Sequence, residues 1–434
     1  MKLNYKRTIL IGFAFMSILA FWQFYDQVIP FALENTFGLG TFAANAIMSI
    51  DNVLAIFMLP LFGAISDRTQ TKLGRRTPYI LFGTLMAVTL MVILAFFHES
   101  VNFWGFFFAL LLLLVVMAVY RTPAVAYMPD VTPKPLRSKA NAIINLVGYV
   151  GGIFSMGAMM FLLKSEKNAA GESVYVKGQS FLPIFFAVAA FMLVSVLIMV
   201  LTIKENKVVA EAGVVDEPDE PTVGKGKKLS GPVLRSLILI LCSVFLWFMA
   251  YNAVTTAFSR YCLAMWNAGP NVSSGYLMAA TVSAIVAFVP LGFLSGKLGR
   301  KATVLIGIAV MTVCYASAIV IHKQTPVMYL LFALVGIGWA AINVNSFPMV
   351  VEMSSGSDVG KYTGLYYTFS MAAQITTPLL SGFIMDNLGL GYQILFPYAV
   401  LFSALSFVTM LFVKHGDSKP LPKTSVLENF DTED

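Results

Sequence analysis

Long apolar runs, separated by short polar segments, dominate the 434-residue chain. The runs are about 20 residues long, the length that a helix rising about 1.5 Å per residue needs to cross a hydrocarbon core of about 30 Å. Stretches such as Trp104 to Val119 are apolar on every side, whereas a membrane β-strand would alternate apolar and polar residues. We therefore predict an all-α integral membrane protein.

The apolar runs divide into two sets of six, which predicts twelve transmembrane helices. The predicted spans are 8–33, 42–65, 78–97, 102–125, 139–163 and 180–203, followed by 235–258, 274–296, 302–321, 327–350, 362–385 and 392–413. This division predicts an N-terminal six-helix half at 1–203, a cytoplasmic linker at 204–234, a C-terminal six-helix half at 235–413 and a cytoplasmic tail at 414–434.

Polar signals at the helix ends recur between the two halves. Gly74-Arg75-Arg76 after the second predicted helix corresponds to Gly299-Arg300-Lys301 after the eighth. In the same way, Asp130 corresponds to Glu352, and Arg137 to Lys361. Parallel six-helix repeats are typical of one transporter architecture. The two halves are therefore predicted to be related by a parallel pseudo-repeat.

Composition and charge agree with a membrane protein. Hydrophobic residues make up 58% of the chain and charged residues 12%, compared with about 25% charged residues in an average soluble domain. The formal net charge of +7 would also suit a nucleic-acid partner, but the basic residues lie mostly in loops and tails on one side of the predicted membrane. The exceptions are Lys164, Lys167, Lys177 and Lys323 on the other side, and Arg121 and Arg260 in or beside the apolar spans. This positive-inside pattern predicts a multi-pass cell-membrane protein with both termini cytoplasmic, and it needs no nucleic acid.

The sequence argues against an enzyme or an ATP-driven pump. It contains no nucleotide-binding loop and no clustered cysteine or histidine pattern for a metal. Cys242, Cys262 and Cys314 lie in or near apolar spans, where we predict packing roles. We therefore expect neither a cofactor nor a metal.

The loop after the second predicted helix carries the most specific motif. Gly63-Ala64-Ile65-Ser66-Asp67-Arg68 is followed by Gly74-Arg75-Arg76-Thr77-Pro78, which resembles the loop signature of the major facilitator superfamily. The alternative is an ordinary basic loop. A carboxylate beside several cations can pair across a helix bundle when the cytoplasmic side is closed. The predicted cytoplasmic gate comprises Asp67, Arg68, Arg75, Arg76, Asp130 and Arg137.

A longer window resembles one branch of that superfamily. Leu59 to Arg68 and Gly74 to Ile80 resemble the sucrose-transporter branch of the glycoside-pentoside-hexuronide:cation symporters. Tyr120-Arg121-Thr122-Pro123, followed by Met128-Pro129-Asp130, resembles the fourth-helix pattern of that branch, in which an intramembrane arginine precedes a loop aspartate. The resemblance implies the major facilitator fold and cation-coupled uptake of a sugar or glycoside. A proton-coupled exporter of drugs or metabolites with the same fold is the alternative.

Ionisable residues within the predicted spans are few, and each costs several kcal/mol unless it faces the bundle interior. Asp26 and Asp51 are expected at similar depth, where they could couple the movement of a proton, rather than sodium, to transport. Alternatively, Asp26 or Asp51 could have the structural role of hydrogen-bonding a neighbouring helix, with no part in coupling. Arg121 could meet a buried carboxylate or the substrate, or could extend to the interface, whereas Arg260 is predicted to be an interfacial anchor.

Sugar binding requires aromatic faces together with amide or hydroxyl groups. Such side chains recur at mid-helix depth in both halves, although any one group could equally serve helix packing. The predicted substrate-binding residues are Trp22, Gln23, Arg121, Asn145, Tyr251, Asn252, Trp339, Asn343 and Gln374. We therefore expect a small-molecule substrate, a carbohydrate, bound between the halves of a monomeric carrier that works by alternating access.

Overall fold

The computed structural model describes residues 4–132, 137–169, 171–212, 231–353 and 359–416. Most of the predicted linker and nearly all of the predicted tail lie outside these residues. The side chains of Asp67, Arg137, Glu352 and Lys361 also lie outside the described part of the structure.

Helices account for most of the described chain. The first half contains α1 (Tyr5–Asn35), α2 (Thr41–Met48), α3 (Ile50–Arg68), α4 (Thr77–Glu99), α5 (Phe103–Val131), α6 (Arg137–Leu162) and α7 (Leu182–Thr202). A short α8 (Glu205–Ala212) follows, and then α9 (Gly231–Trp266), α10 (Pro270–Leu298), α11 (Arg300–Ile319), α12 (Pro326–Glu352), α13 (Val359–Asn387), a 3-10 turn (Tyr392–Ile394) and α14 (Leu395–Leu411). Between α6 and α7, β1 (Ser165–Lys167) and β2 (Ser173–Tyr175) form an antiparallel hairpin in which Glu166 is paired with Val174.

Every predicted span coincides with a helix. Among the described residues, ten helices are long and apolar enough to cross a membrane. The two remaining predicted spans correspond to α13 and to α2 followed by α3. The predicted all-α membrane fold is therefore confirmed.

The packing of the helices repeats between the two halves. In the first half, α1 packs against α6 and α7, α4 packs against α5 and α7, and α3 packs against α5. In the second half, α9 packs against α13 and α14, α11 packs against α12 and α14, and α10 packs against α12. Each pair in one half has its counterpart at the same position in the other, as a parallel six-helix repeat requires.

Glycine allows α1 and α6 to pack with their backbones close together. A Cβ atom on Gly151 of α6 would lie 1.9 Å from the carbonyl oxygen of Met16 in α1. A Cβ atom on the adjacent Gly152 would meet nothing within 4 Å. Small residues commonly permit such close approach between membrane helices, and here only one of two neighbouring glycines provides it.

The halves contact each other through α6 with α10 and through α2 with α13. The hairpin of the first half adds a further connection. Tyr175 donates its backbone N–H to the Asn267 carbonyl at 2.8 Å, and Gln324 Nε2 donates to the Ser173 carbonyl at 2.7 Å. We call the end of the bundle that carries this hairpin the far end, and the end that carries Arg75, Arg76 and Arg300 the basic end.

The predicted linker begins with a folded segment and not with solvated chain. Glu205, at the start of α8, is 1% exposed. Its carboxylate accepts from the backbone N–H groups of Arg75 at 2.9 Å, Arg76 at 3.0 Å and Thr77 at 2.8 Å. These donors belong to the start of α4, where N–H groups lack partners within the helix and the helix dipole attracts negative charge. The predicted linker therefore contributes a carboxylate that caps a helix.

We expect Gly151→Ala to destabilise the protein and Gly152→Ala to leave its stability almost unchanged. The added methyl group at Gly151 would force α1 and α6 apart, and overpacking of this kind costs about 1–3 kcal/mol. Thermal unfolding of the purified protein in detergent measures the difference. Equal melting temperatures for the two variants would contradict the close α1–α6 contact.

Candidate functional site

Two adjoining chambers lie between the halves. The first has a volume of about 270 Å³ and the second about 220 Å³. Both are lined by Asp26 of α1 and by Asn252 and Thr255 of α9. Since α1 and α9 belong to different halves, the two chambers lie where a rocking movement of the halves would open or close them.

The fold brings most of the predicted site residues into these chambers. Trp22, Asp51, Arg121 and Gln374 line the first chamber, Gln23 and Tyr251 line the second, and Asp26 and Asn252 line both. These residues lie on helices as far apart in the sequence as α1 and α13, and the packing of the two halves brings them together. The structure establishes their positions, and their roles stay predictions.

Three predicted substrate-binding residues are not among the described lining residues of either chamber. Trp339 stacks against Tyr251 with ring centroids 3.7 Å apart and an interplanar angle of 2°. Asn343 donates its amide to the Trp339 carbonyl one turn earlier in α12, at 3.0 Å. Asn145 lies on α6. Trp339 thus contacts Tyr251, which lines the second chamber, while the described bond of Asn343 lies within α12.

Asp51 lies where the second predicted span is interrupted. The interruption between α2 and α3 leaves the Met48 carbonyl to accept a hydrogen bond from the Tyr25 hydroxyl at 3.1 Å. Asp51 is in the first turn of α3 and accepts from Asn52 Nδ2 at 2.8 Å. Ser49, between α2 and α3, keeps helical backbone angles, and its N–H still donates to the Asn45 carbonyl at 3.0 Å. Asp51 therefore lies within a nearly continuous membrane helix, where an ionisable side chain is a candidate functional residue.

Asp26 and Arg121 face the interior of the bundle. The Arg121 guanidinium carbon lies 5.6 Å from the centroid of the Trp22 ring, in the same chamber as Asp51. Its position excludes the alternative that Arg121 extends to the membrane interface. The Asp26 carboxyl has no hydrogen-bond partner among the described residues, and it is shared by both chambers. It is thus available to a proton or to a substrate.

Arg260 is not the interfacial anchor that its position in the sequence suggested. It is 2% exposed, and its Nη1 donates to Glu34 at 2.6 Å and to Asn45 Oδ1 at 2.9 Å. Tyr392 contributes a hydroxyl that donates to the same Glu34 carboxylate. Arg260 therefore joins α9 to α1 and α2 across the halves. Sequence reasoning missed it because the partner of Arg260 lies 226 positions away along the chain.

The Arg260 contact separates two spaces. Arg260 lines the first chamber, and it also lines a vestibule of about 680 Å³ at the far end. The vestibule is also lined by Glu34, Glu99, Tyr175, Lys177 and Tyr392. Further contacts between the halves support this barrier: Phe42 donates its backbone N–H to Asp386 at 2.6 Å, and Asn45 Nδ2 donates to the Pro378 carbonyl at 2.8 Å. The far end is closed by this network.

Three residues of the predicted cytoplasmic gate, Arg75, Arg76 and Asp130, are paired within one half. Arg75 Nη2 lies 2.9 Å from Asp130, and Arg76 Nε lies 2.7 Å from the same carboxylate. Arg76 also donates to the Ser66 hydroxyl, and Arg68 is exposed at the end of α3. A pairing of these residues with the second half stays a prediction, because the side chains of Asp67 and Arg137 lie outside the described structure.

Comparison with known proteins identifies the family. A family model described as MFS/sugar transport protein matches residues 9–385. The chain belongs to this family. It is 27% identical over 173 residues to an uncharacterized MFS-type transporter of Schizosaccharomyces pombe, covering 38% of each protein. It is also 26% identical over 167 residues to the alpha-ketoglutarate permease of Escherichia coli, covering 38% of this chain and 36% of the permease. The chain thus matches little more than a third of the length of these relatives.

Solved structures share the fold at low sequence identity. A bacterial homologue of the iron transporter ferroportin in an inward-facing state has 15% identity and a TM-score of 0.68, with 94% of this chain and 99% of that chain covered. A xylose transporter of Escherichia coli in an inward-open conformation has 15% identity and a TM-score of 0.63, with 96% of each chain covered. The family and these neighbours are transporters and not enzymes.

We expect Glu34→Gln to open the far end more often, because removing one partner of a buried ion pair costs about 3–5 kcal/mol. Thr256 lies in the first chamber behind Arg260. A cysteine placed at this position reacts with a membrane-impermeant thiol reagent added at the far end when that end opens. Cys242, Cys262 and Cys314 are first replaced by serine. Labelling is expected to be at least tenfold faster in Glu34→Gln than in the parent.

Glu99→Gln is the matched control, since Glu99 lines the same vestibule but its described partners, Ser180, Phe181 and His98, all belong to its own half. Equal labelling rates in Glu34→Gln and Glu99→Gln would show that the Arg260 contact does not close the far end.

Proposed function

We propose that this member of the MFS/sugar transport protein family is a secondary active transporter that couples the uptake of a sugar or glycoside to a proton by alternating access. The observation that carries the proposal is the carboxyl of Asp26, which lacks a partner among the described residues and borders both chambers. A group that is accessible from the substrate space can exchange its proton as the substrate binds and leaves.

The chemistry of the chambers supports a carbohydrate substrate. Amides, hydroxyls and aromatic rings surround the space, as in Trp22, Tyr251, Asn252, Thr255 and Gln374. Such groups match the hydroxyls and C–H faces of a sugar. The family description and the xylose transporter among the structural neighbours point in the same direction, as does the resemblance of Leu59 to Arg68 to the sucrose-transporter branch.

Charge balance supports proton coupling. Arg260 also lines the first chamber, but it is paired with Glu34. With both carboxyls ionised, Asp26 and Asp51 therefore place two negative charges beside the one remaining positive charge, that of Arg121. Binding of one proton makes this set neutral, which lowers the cost of closing the chambers away from water. The loaded carrier can then reorient, and loss of the proton on the other side favours release of the sugar.

The positive-inside pattern assigns the basic end to the cytoplasm. The far end, closed by Arg260 and Glu34, then faces outward, so the present arrangement corresponds to the inward-facing stage of transport. On return, the Arg75 and Arg76 pairs with Asp130 are expected to contribute to closure of the basic end against the second half. The carrier is expected to act as a monomer in the lipid bilayer.

We expect Asp26→Asn and Asp51→Asn each to abolish accumulation of sugar against a gradient. Lightly buffered vesicles that carry the purified protein are screened with mono- and disaccharides, with and without sodium. The native protein should raise the external pH when its sugar is added, and the variants should not. Glu166→Gln, in the exposed hairpin, is the control and should behave like the native protein.

Other outcomes would change the proposal in defined ways. Sodium-driven uptake without a pH change would retain the sugar and replace the coupling ion. The absence of a pH change or uptake with every sugar, together with proton-driven efflux of lipophilic compounds, would overturn sugar uptake in favour of an exporter. Full accumulation in both aspartate variants would remove Asp26 and Asp51 from the coupling step.

A further inference from the structure

The second chamber contains three buried polar atoms without a hydrogen-bond partner among the described residues: Gln27 Oε1, Asn252 Nδ2 and Tyr315 Oη. Gln27 and Tyr315 are each only 1% exposed. All three side chains line this one chamber, although they come from α1, α9 and α11. Buried polar atoms in folded proteins are nearly always paired, so a cluster of unpaired ones beside a cavity indicates a partner that occupies the cavity.

The three atoms specify the chemistry of that partner. The amide oxygen of Gln27 only accepts a hydrogen bond, the amide nitrogen of Asn252 only donates, and the Tyr315 hydroxyl does both. A group that satisfies all three must itself donate and accept. Hydroxyl groups do so, whereas a carboxylate only accepts and an ammonium group only donates. The sequence had singled out Asn252 alone from this set.

Part of the wall of this chamber is apolar. Leu277, Phe332 and Val335 are buried there, with exposures of 5%, 3% and 4%. A wall that combines apolar side chains with hydrogen-bonding groups suits a ring that has C–H surface on one side and hydroxyls on its edge. At about 220 Å³, the chamber is smaller than the range of about 300–1,000 Å³ typical of complete ligand sites. It is therefore one part of a site that continues past Asp26 into the first chamber.

Gln27 also connects this chamber to the contact between the halves. Its Nε2 donates to the Thr255 carbonyl at 2.6 Å, so one amide has its nitrogen bonded across the halves and its oxygen facing no partner. A hydroxyl that donates to this oxygen polarises the amide and strengthens the bond that the nitrogen makes. Occupancy of the chamber would thus stabilise the contact between α1 and α9.

We propose that Gln27, Asn252 and Tyr315 form a subsite that recognises neutral hydroxyl groups of the substrate. Occupancy of this subsite strengthens the bond that Gln27 makes between the halves. This proposal rests on the proposed sugar transport for the identity of the ligand. It adds two specificity-determining residues, Gln27 and Tyr315, and it predicts that carboxylate-bearing analogues are excluded from this chamber.

The test measures ligand binding separately from transport. Binding to the purified full-length protein is measured by the thermal stabilisation that each ligand causes. The ligands are the mono- and disaccharides of the vesicle screen, a series of monodeoxy derivatives and the corresponding uronic acids. Tyr315→Phe should weaken binding of the parent sugar about three- to tenfold, as expected for the loss of one neutral hydrogen bond. Gln27→Met should weaken it at least as much, because this variant also loses the bond from Gln27 Nε2 to the Thr255 carbonyl. For one monodeoxy derivative, which lacks the recognised hydroxyl, Tyr315→Phe should cause no further loss.

Tyr329→Phe is the matched control for Tyr315→Phe. Tyr329 lies on α12, is 41% exposed and lines neither chamber. Removal of its hydroxyl should therefore leave sugar affinity unchanged. If a variant fails to fold, the native protein still decides the question, because it must discriminate against one monodeoxy derivative and against the uronic acids.

Equal loss of affinity for every derivative in Tyr315→Phe, or native affinity in both variants, would overturn the subsite and show that the chamber holds only water. Binding of sugars without transport would retain the subsite and overturn the proposed function. Sugar transport by the native protein, together with unchanged affinities in the variants, would retain the proposed function and overturn the subsite. Failure of every neutral sugar to bind would overturn both.

Discussion

The buried contact between Arg260 and Glu34 is the interaction on which the arrangement of the two halves depends. A charge removed from water at this depth is tolerated only when it is paired and hydrogen-bonded, and Arg260 meets this condition with groups from the opposite half. The guanidinium is therefore stable only while α9 lies against α1 and α2. Because the same side chain borders both the vestibule and the first chamber, the interaction that joins the halves is also the barrier between the two spaces.

The carboxyl groups among the described lining residues of the chambers come from the first half. That half provides Asp26 and Asp51, whereas both halves provide amides and aromatic rings, among them Gln27 from the first half and Asn252 and Gln374 from the second. Protonation would change the charge of the first half alone, while the substrate would contact both. Movement of one half relative to the other would then depend on both ligands at once, which is the physical requirement for coupled transport.

The basic end is organised by a different principle. Arg75 and Arg76 share Asp130, and the backbone beside them is capped by Glu205, so both arginines have a carboxylate partner within the first half. Gly74 makes this possible, since its φ of 119° and the absence of a side chain leave room for the Glu205 carboxylate. Here the fold holds its cations in place locally, whereas at the far end it uses an ion pair to hold the halves together.

Local sequence patterns were sufficient to predict the helices, the two-part repeat, the family and many of the residues that line the chambers. Apolar length determines a membrane helix because the bilayer has a fixed thickness, and an ionisable or amide side chain within such a helix must turn toward the interior. Asp26, Asp51, Arg121 and Asn252 could be found on this basis.

Partners distant in the sequence could not be found in this way. The role of Arg260, the helix cap made by Glu205 and the shared chamber of Gln27 and Tyr315 each depend on which helices become neighbours. The sequence by itself determined that these side chains had to be buried or paired, and only the tertiary structure decided with what, because a hydrogen bond depends on distance in space and not on separation along the chain.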